Sequence, residues 1–140
     1  MEVTLLLADY ARVAEGKLDL VGSGWQLTSS PATFGIGILF HIPWDRTNTQ
    51  ITFTLELVDA DGAPVTQQTD DGEVPLAHIR GAVSVGRPVE LKPGTAQTVP
   101  FAANFASMPV PPGNRFAWRL NLDDDPDSTW SVAFSTRPAA

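Results

Sequence analysis

The runs Asp59-Ala60-Asp61-Gly62, Asp70-Asp71 and Asp123-Asp124-Asp125-Pro126-Asp127 hold the densest chemistry in the sequence. Carboxylates are hard oxygen ligands, and loops that gather several of them hold calcium. Asp59, Asp61, Asp123, Asp125 and Asp127 are therefore the candidate metal ligands, on the condition that their loops meet at one end of the fold. The spacing favours a plainer role. Asp123, Asp125 and Asp127 are followed by neither the sixth-position glycine nor the twelfth-position glutamate of a helical calcium loop, and Asp-Gly is ordinary hairpin chemistry. Turn formation and solubility are the first reading of these carboxylates and calcium the second; no cofactor is assigned.

Catalysis draws on a nucleophile, base or metal in convergent geometry, and the supply is thin: no cysteine, one tyrosine and two histidines. His41 stands opposite the apolar side of its segment, and His78 sits with Arg80 opposite Ile79, Gly81 and Val83, so both read as surface or rim residues. Ser84 lies between Val83 and Val85, and Gly81 and Gly86 do not frame the Gly-x-Ser-x-Gly elbow of a serine hydrolase. The chain reads as a non-enzyme. Among four tryptophans, Trp44, Trp118 and Trp130 continue apolar faces and are expected inside. Trp25, after Gly22-Ser23-Gly24, is the one free to stand at a bend as a sugar platform, and is the candidate ligand-binding aromatic. Pro109-Val110-Pro111-Pro112 reads as a stiff connection into a turn at Gly113 rather than a polyproline ligand.

The elements that position these residues show period two, the spacing at which alternate side chains of a strand face core and water. Ile51, Phe53, Leu55 and Leu57 alternate with Thr52, Thr54 and Glu56. Phe116, Trp118, Leu120 and Leu122 repeat the pattern, as do Trp130, Val132 and Phe134, and Phe34 to Trp44 extends it over a longer strand. Weaker strands are expected at 17–27, 64–69, 77–85 and 97–105. Asp61-Gly62, Asp71-Gly72, Pro93-Gly94 and Pro112-Gly113 supply the turns between strands. Residues 3–14 fit a helical face as well as a strand; because Glu15-Gly16 can turn the chain directly into Lys17-Leu18-Asp19-Leu20, a strand leading into a hairpin is preferred. The expected fold is all-β: a single antiparallel two-sheet sandwich of eight or nine strands over 1–136, immunoglobulin-like or jelly-roll in topology, with a frayed tail at 137–140.

A chain of 140 residues can bury roughly 68% of its unfolded surface, enough for one core. Its formal net charge of −7 opposes phosphate backbones and anionic lipid heads, so neither nucleic acid nor bare membrane is an expected partner. The segment Met1 to Tyr10 lacks a basic start and meets Asp9 too early for a signal-peptide core, and cysteine is absent; both suit the cytoplasm.

Leu6-Leu7-Ala8-Asp9-Tyr10-Ala11, Gly16-Lys17-Leu18 and Trp25 resemble the opening of a bacterial family catalogued only as a domain of unknown function. Ile42-Pro43-Trp44, Val58-Asp59-Ala60-Asp61-Gly62, Gly86-Arg87-Pro88, Pro93-Gly94-Thr95, Pro111-Pro112-Gly113 and Trp118-Arg119-Leu120 resemble its later landmarks, in order. The resemblance implies a β-rich fold and bacterial origin, and brings no activity or functional residues. The expected function is a non-enzymatic protein-interaction or structural module whose partner is protein, a second copy of itself included. The alternative is a small-ligand module, calcium-assisted or carbohydrate-binding, that uses the loop aspartates and Trp25.

Overall fold

A computed structural model describes residues 1–139 and is all-β, with one three-residue 3₁₀ turn as its helical content among them. Twelve strands form: β1 (Glu2–Ala8), β2 (Tyr10–Ala14), β3 (Lys17–Val21), β4 (Leu27–Thr28), β5 (Ala32–Ile42), β6 (Ile51–Asp59), β7 (Thr66–Thr69), β8 (Gly72–Pro75), β9 (His78–Val83), β10 (Gln97–Met108), β11 (Arg115–Leu122) and β12 (Asp125–Thr136). They make a three-stranded sheet, β1-β5-β10, a five-stranded sheet, β4-β12-β11-β6-β9, and two hairpins, β2-β3 and β7-β8, none of them closed into a barrel. The count exceeds the expected eight or nine because both hairpins are separate excursions and because β4 is a two-residue strand. The pairing is not wholly antiparallel either, since β4 lies parallel to the end of β12.

Alternation places the core. Phe53, Leu55 and Leu57 of β6 and Trp118 and Leu120 of β11 are fully buried, as are Phe34, Ile36, Ile38 and Phe40 of β5. Rings from the two larger sheets meet: Phe34 stands edge-on to Trp118 at 5.4 Å, Phe40 lies 4.9 Å from Phe53, and Phe105 stacks on Trp118 at 4.8 Å. Such aromatic pairs add to the stabilisation from apolar burial itself. Val132 and Trp130, expected inside, are only half-buried on the rim of this core.

The opening segment is a strand leading into a hairpin, as its turn chemistry predicts: Glu15 and Gly16 both take positive φ, at 54° and 70°. The hairpin folds over the outer face of β5, where a Cβ on Gly35 would lie 2.5 Å from the carbonyl carbon of Tyr10 and one on Gly37 only 2.8 Å from Leu20 Cδ2. Glycine at these two positions lets the second layer approach.

Trp44 departs from expectation. The strand ends at Ile42, because Pro43 has no N–H to continue the ladder, and Trp44 begins the 3₁₀ turn Trp44–Arg46 instead of extending the apolar face. Arg87 lies over its ring at 4.3 Å and donates from Nη2 to the Trp44 carbonyl at 2.9 Å and from Nε to Thr47 Oγ1. The segment 109–112 is the connection foreseen, pinned by the buried Val110, whose carbonyl accepts from Ser30 Oγ. Of the tail expected from 137, Arg137 is held, its N–H donating to Thr28 O and its carbonyl accepting from Gly113 N; Ala140 lies outside the described residues. No helix among the described residues is long and apolar enough to cross a membrane.

Candidate functional site

The acidic loops do not meet. β6 and β11 pair antiparallel with Phe116 opposite Asp59 and Leu122 opposite Phe53, which puts Asp59 and Asp61 at one end of the sheet and the β11–β12 turn at the other, about 20 Å away at ~3.3 Å per residue. The condition behind the calcium reading therefore fails. Asp59 Oδ1 instead accepts from the N–H groups of Asp61 and Ala63, at 2.9 and 3.0 Å, and shapes its own turn. Asp123 pairs with Arg80 and Asp124 with Arg46. Among the described residues no three His, Asp or Glu side chains cluster as metal ligands.

Trp25 is half-buried rather than displayed. Its ring stacks on Phe34 at 6.1 Å and 28°, and its indole nitrogen is covered. One face is spent on the core, so the ring is anchored at the rim rather than free on both faces. His41 sits on the sheet's outer face between Thr4 Oγ1, at 2.9 Å, and Thr98 Oγ1, at 3.2 Å, and His78 is exposed. Tyr10, also exposed, lies directly opposite Val21 on the hairpin.

What the strands do bring together is an edge. Ser135 N donates to Gln26 O at 2.8 Å, on the side of β12 away from β11. Because backbone groups alternate in direction along a strand, and the β11–β12 register is unbroken from Thr129 to Ser135, Thr129, Ser131 and Ala133 aim their N–H and C=O groups to that same side. Among the described residues, the strand met there is β4, which reaches only Ser135 and Thr136. The three side chains are exposed and small, while Trp130 and Val132 turn half-buried flanks inward.

Edges are normally guarded by proline, charge, bulges or a covering segment. β10 shows all but the charge: Pro100, a register break between Phe105 and Met108, and the β2-β3 hairpin tied on by Asn104. At the end of β1, the Leu7 carbonyl accepts from Ser23 Oγ at 2.9 Å. Residues 129–133 carry no proline, no lysine or arginine, and no bulge. This edge is hidden in the sequence, because openness depends on strand order, and the small neutral residues Thr129, Ser131 and Ala133 are the sole local signal.

The landmark residues act as ties rather than as a site. Trp44 and Arg87 clasp each other as described, and Arg119 pairs with Glu56 at 2.6 Å while its other amino group reaches Gly62 O at 3.3 Å. A model for a family described as a family of unknown function, DUF6941, matches residues 3–134. No curated protein and no solved structure matches the chain.

Proposed function

The chain belongs to the family of unknown function DUF6941, and on that premise we propose that it is a non-enzymatic protein-binding module that takes an extended segment of a partner along the open edge of β12. The observation that carries this reading is the row Thr129, Ser131 and Ala133, with backbone donors and acceptors facing out and, over 129–133, no proline, charge or bulge. Main-chain hydrogen bonds to an added strand give affinity, and alternate side chains give specificity. In this reading the three- and five-stranded sheets serve as the two layers of a sandwich, immunoglobulin-like or jelly-roll in kind, that holds the edge rigid. The acidic surface suits a cytoplasmic module whose partners are proteins rather than nucleic acid or membrane.

The test is site-specific photo-crosslinking in cells. A benzophenone side chain replacing Ser131 is expected to give a protein adduct, whereas the same group replacing Gln68, exposed on β7, gives none. Equal adduct at the two positions would end the proposal.

A further inference from the structure

β1 and β12 lie side by side at the margin of the two larger sheets, and both run toward the segment 22–26. Leu7 near the end of β1 is met by Ser23, and Ser135 near the end of β12 by Gln26. The seam is thus closed at that end. Along its inner side Leu5, Trp130 and Val132 are apolar and only partly buried. Away from that end each strand begins with carboxylates, Glu2 on β1 and, further along the seam, Asp125 and Asp127 on β12. None of the three is ion-paired among the described residues, and neither strand contains a lysine or arginine.

Resting on the proposed function, we infer that the occupant of this edge is an extended segment of another protein, with small or β-branched residues at the pairing positions and lysine or arginine beside them. A second copy is the poorer fit. It brings a further net charge of −7 and the same three carboxylates, with no cation on either seam strand. A basic flank meets those carboxylates, and charge complementarity of this kind selects partners and speeds their encounter. The alternation of half-buried Trp130 and Val132 with exposed Thr129, Ser131 and Ala133 matches a partner that alternates in the same period.

The test uses the whole chain, isotope-labelled, and three synthetic peptides: Lys-Lys-Thr-Val-Thr-Val-Thr-Lys-Lys, the same core flanked by glutamates, and the lysine form with proline at its central residue. The lysine peptide is expected to shift the amide resonances of Thr129, Ser131 and Ala133 and to bind at least about tenfold more tightly than the glutamate peptide. That advantage shrinks as salt rises from about 0.02 to 0.5 M. The proline peptide is expected not to bind. In the variant D125N/D127N the lysine preference falls while the fold is kept. Equal binding of the lysine and glutamate peptides overturns the basic partner and leaves the edge reading standing. No shift of the three amides with any peptide overturns both. Concentration-dependent doubling of mass without peptide, abolished by Ser131→Pro, identifies a second copy as the occupant and overturns the inference.

Discussion

The carboxamide of Asn104 holds Ala11 by both backbone groups, accepting from its N–H at 2.9 Å and donating to its carbonyl at 2.7 Å. Ala11 is buried, so one side chain of β10 stands in for a strand partner and fastens the β2-β3 hairpin to the sheet. Asn104 itself is exposed, so replacing it by Ala removes two part-buried hydrogen bonds that water can in part replace, and is expected to cost about 1 to 2 kcal/mol. Urea denaturation measures it, and amide exchange at Ala11 is expected to quicken beyond that of the β6 amides. A loss under about 0.5 kcal/mol means water fills the site.

Gly35 and Gly37 separate two kinds of crowding. A methyl at Gly37 meets the ends of the Leu18 and Leu20 side chains, which can rotate, whereas one at Gly35 meets the backbone of Tyr10 and Ala11, which cannot move without the hairpin. Gly37→Ala is expected to cost about 1 to 2 kcal/mol and Gly35→Ala about 3 or more, the upper range for overpacking. The order of the two denaturation midpoints is the measurement. If Gly37→Ala is the worse, the hairpin is not seated as described.

Arg87 is expected to matter to the connection after β9 more than to the core. It touches Trp44, Thr47 and the Trp44 carbonyl, while the neighbouring Val89 is 94% exposed. An exposed cation–π contact with two hydrogen bonds sets the cost of Arg87→Ala at about 1 to 2 kcal/mol. Limited proteolysis with a glutamate-specific protease is expected to cut after the exposed Glu90 several-fold faster in the variant. Arg87→Lys restores the charge without the planar fork and is expected to protect only partly.

Much of the fold was legible because its strongest strands read directly as alternation. Phe53, Leu55, Trp118 and Leu120 bury as their spacing requires, and the turn glycines at 62, 72, 94 and 113 all take positive φ. Trp44 departs from its pattern because period two continues past Pro43 in the sequence, while the missing N–H ends the ladder. Gly35 and Gly37 reveal their purpose only once Leu18, Leu20 and Tyr10, far away in sequence, are folded over them. The same limit hid the candidate site. Asp59 and Asp123 are alike as turn residues, and only the antiparallel register of β6 and β11 shows that they lie at opposite ends. Likewise, Thr129, Ser131 and Ala133 form an open edge only because β4 stops after two residues.

Trp118 and Trp130 test how far the core extends toward that edge. Trp118 is fully buried between Phe34 and Phe105, and Trp118→Ala is expected to cost about 3 to 5 kcal/mol, the range for an aromatic truncated inside a packed core. Trp130 shares the inward register of β12 but flanks the seam, so part of its surface already meets water. Removing it forfeits less apolar contact and leaves a cavity that solvent can enter, and Trp130→Ala is expected to cost about 1 to 2 kcal/mol. The proposed function adds a second consequence for Trp130 that Trp118 does not share. With the lysine peptide bound over the seam, Trp130 loses its remaining water, and its indole emission is expected to shift to shorter wavelength. The variant Trp130→Phe is expected to fold, to lose that shift and to bind more weakly. Equal stability costs at the two positions, with no emission change on binding, place Trp130 in the sealed core and leave the seam too closed to admit a strand.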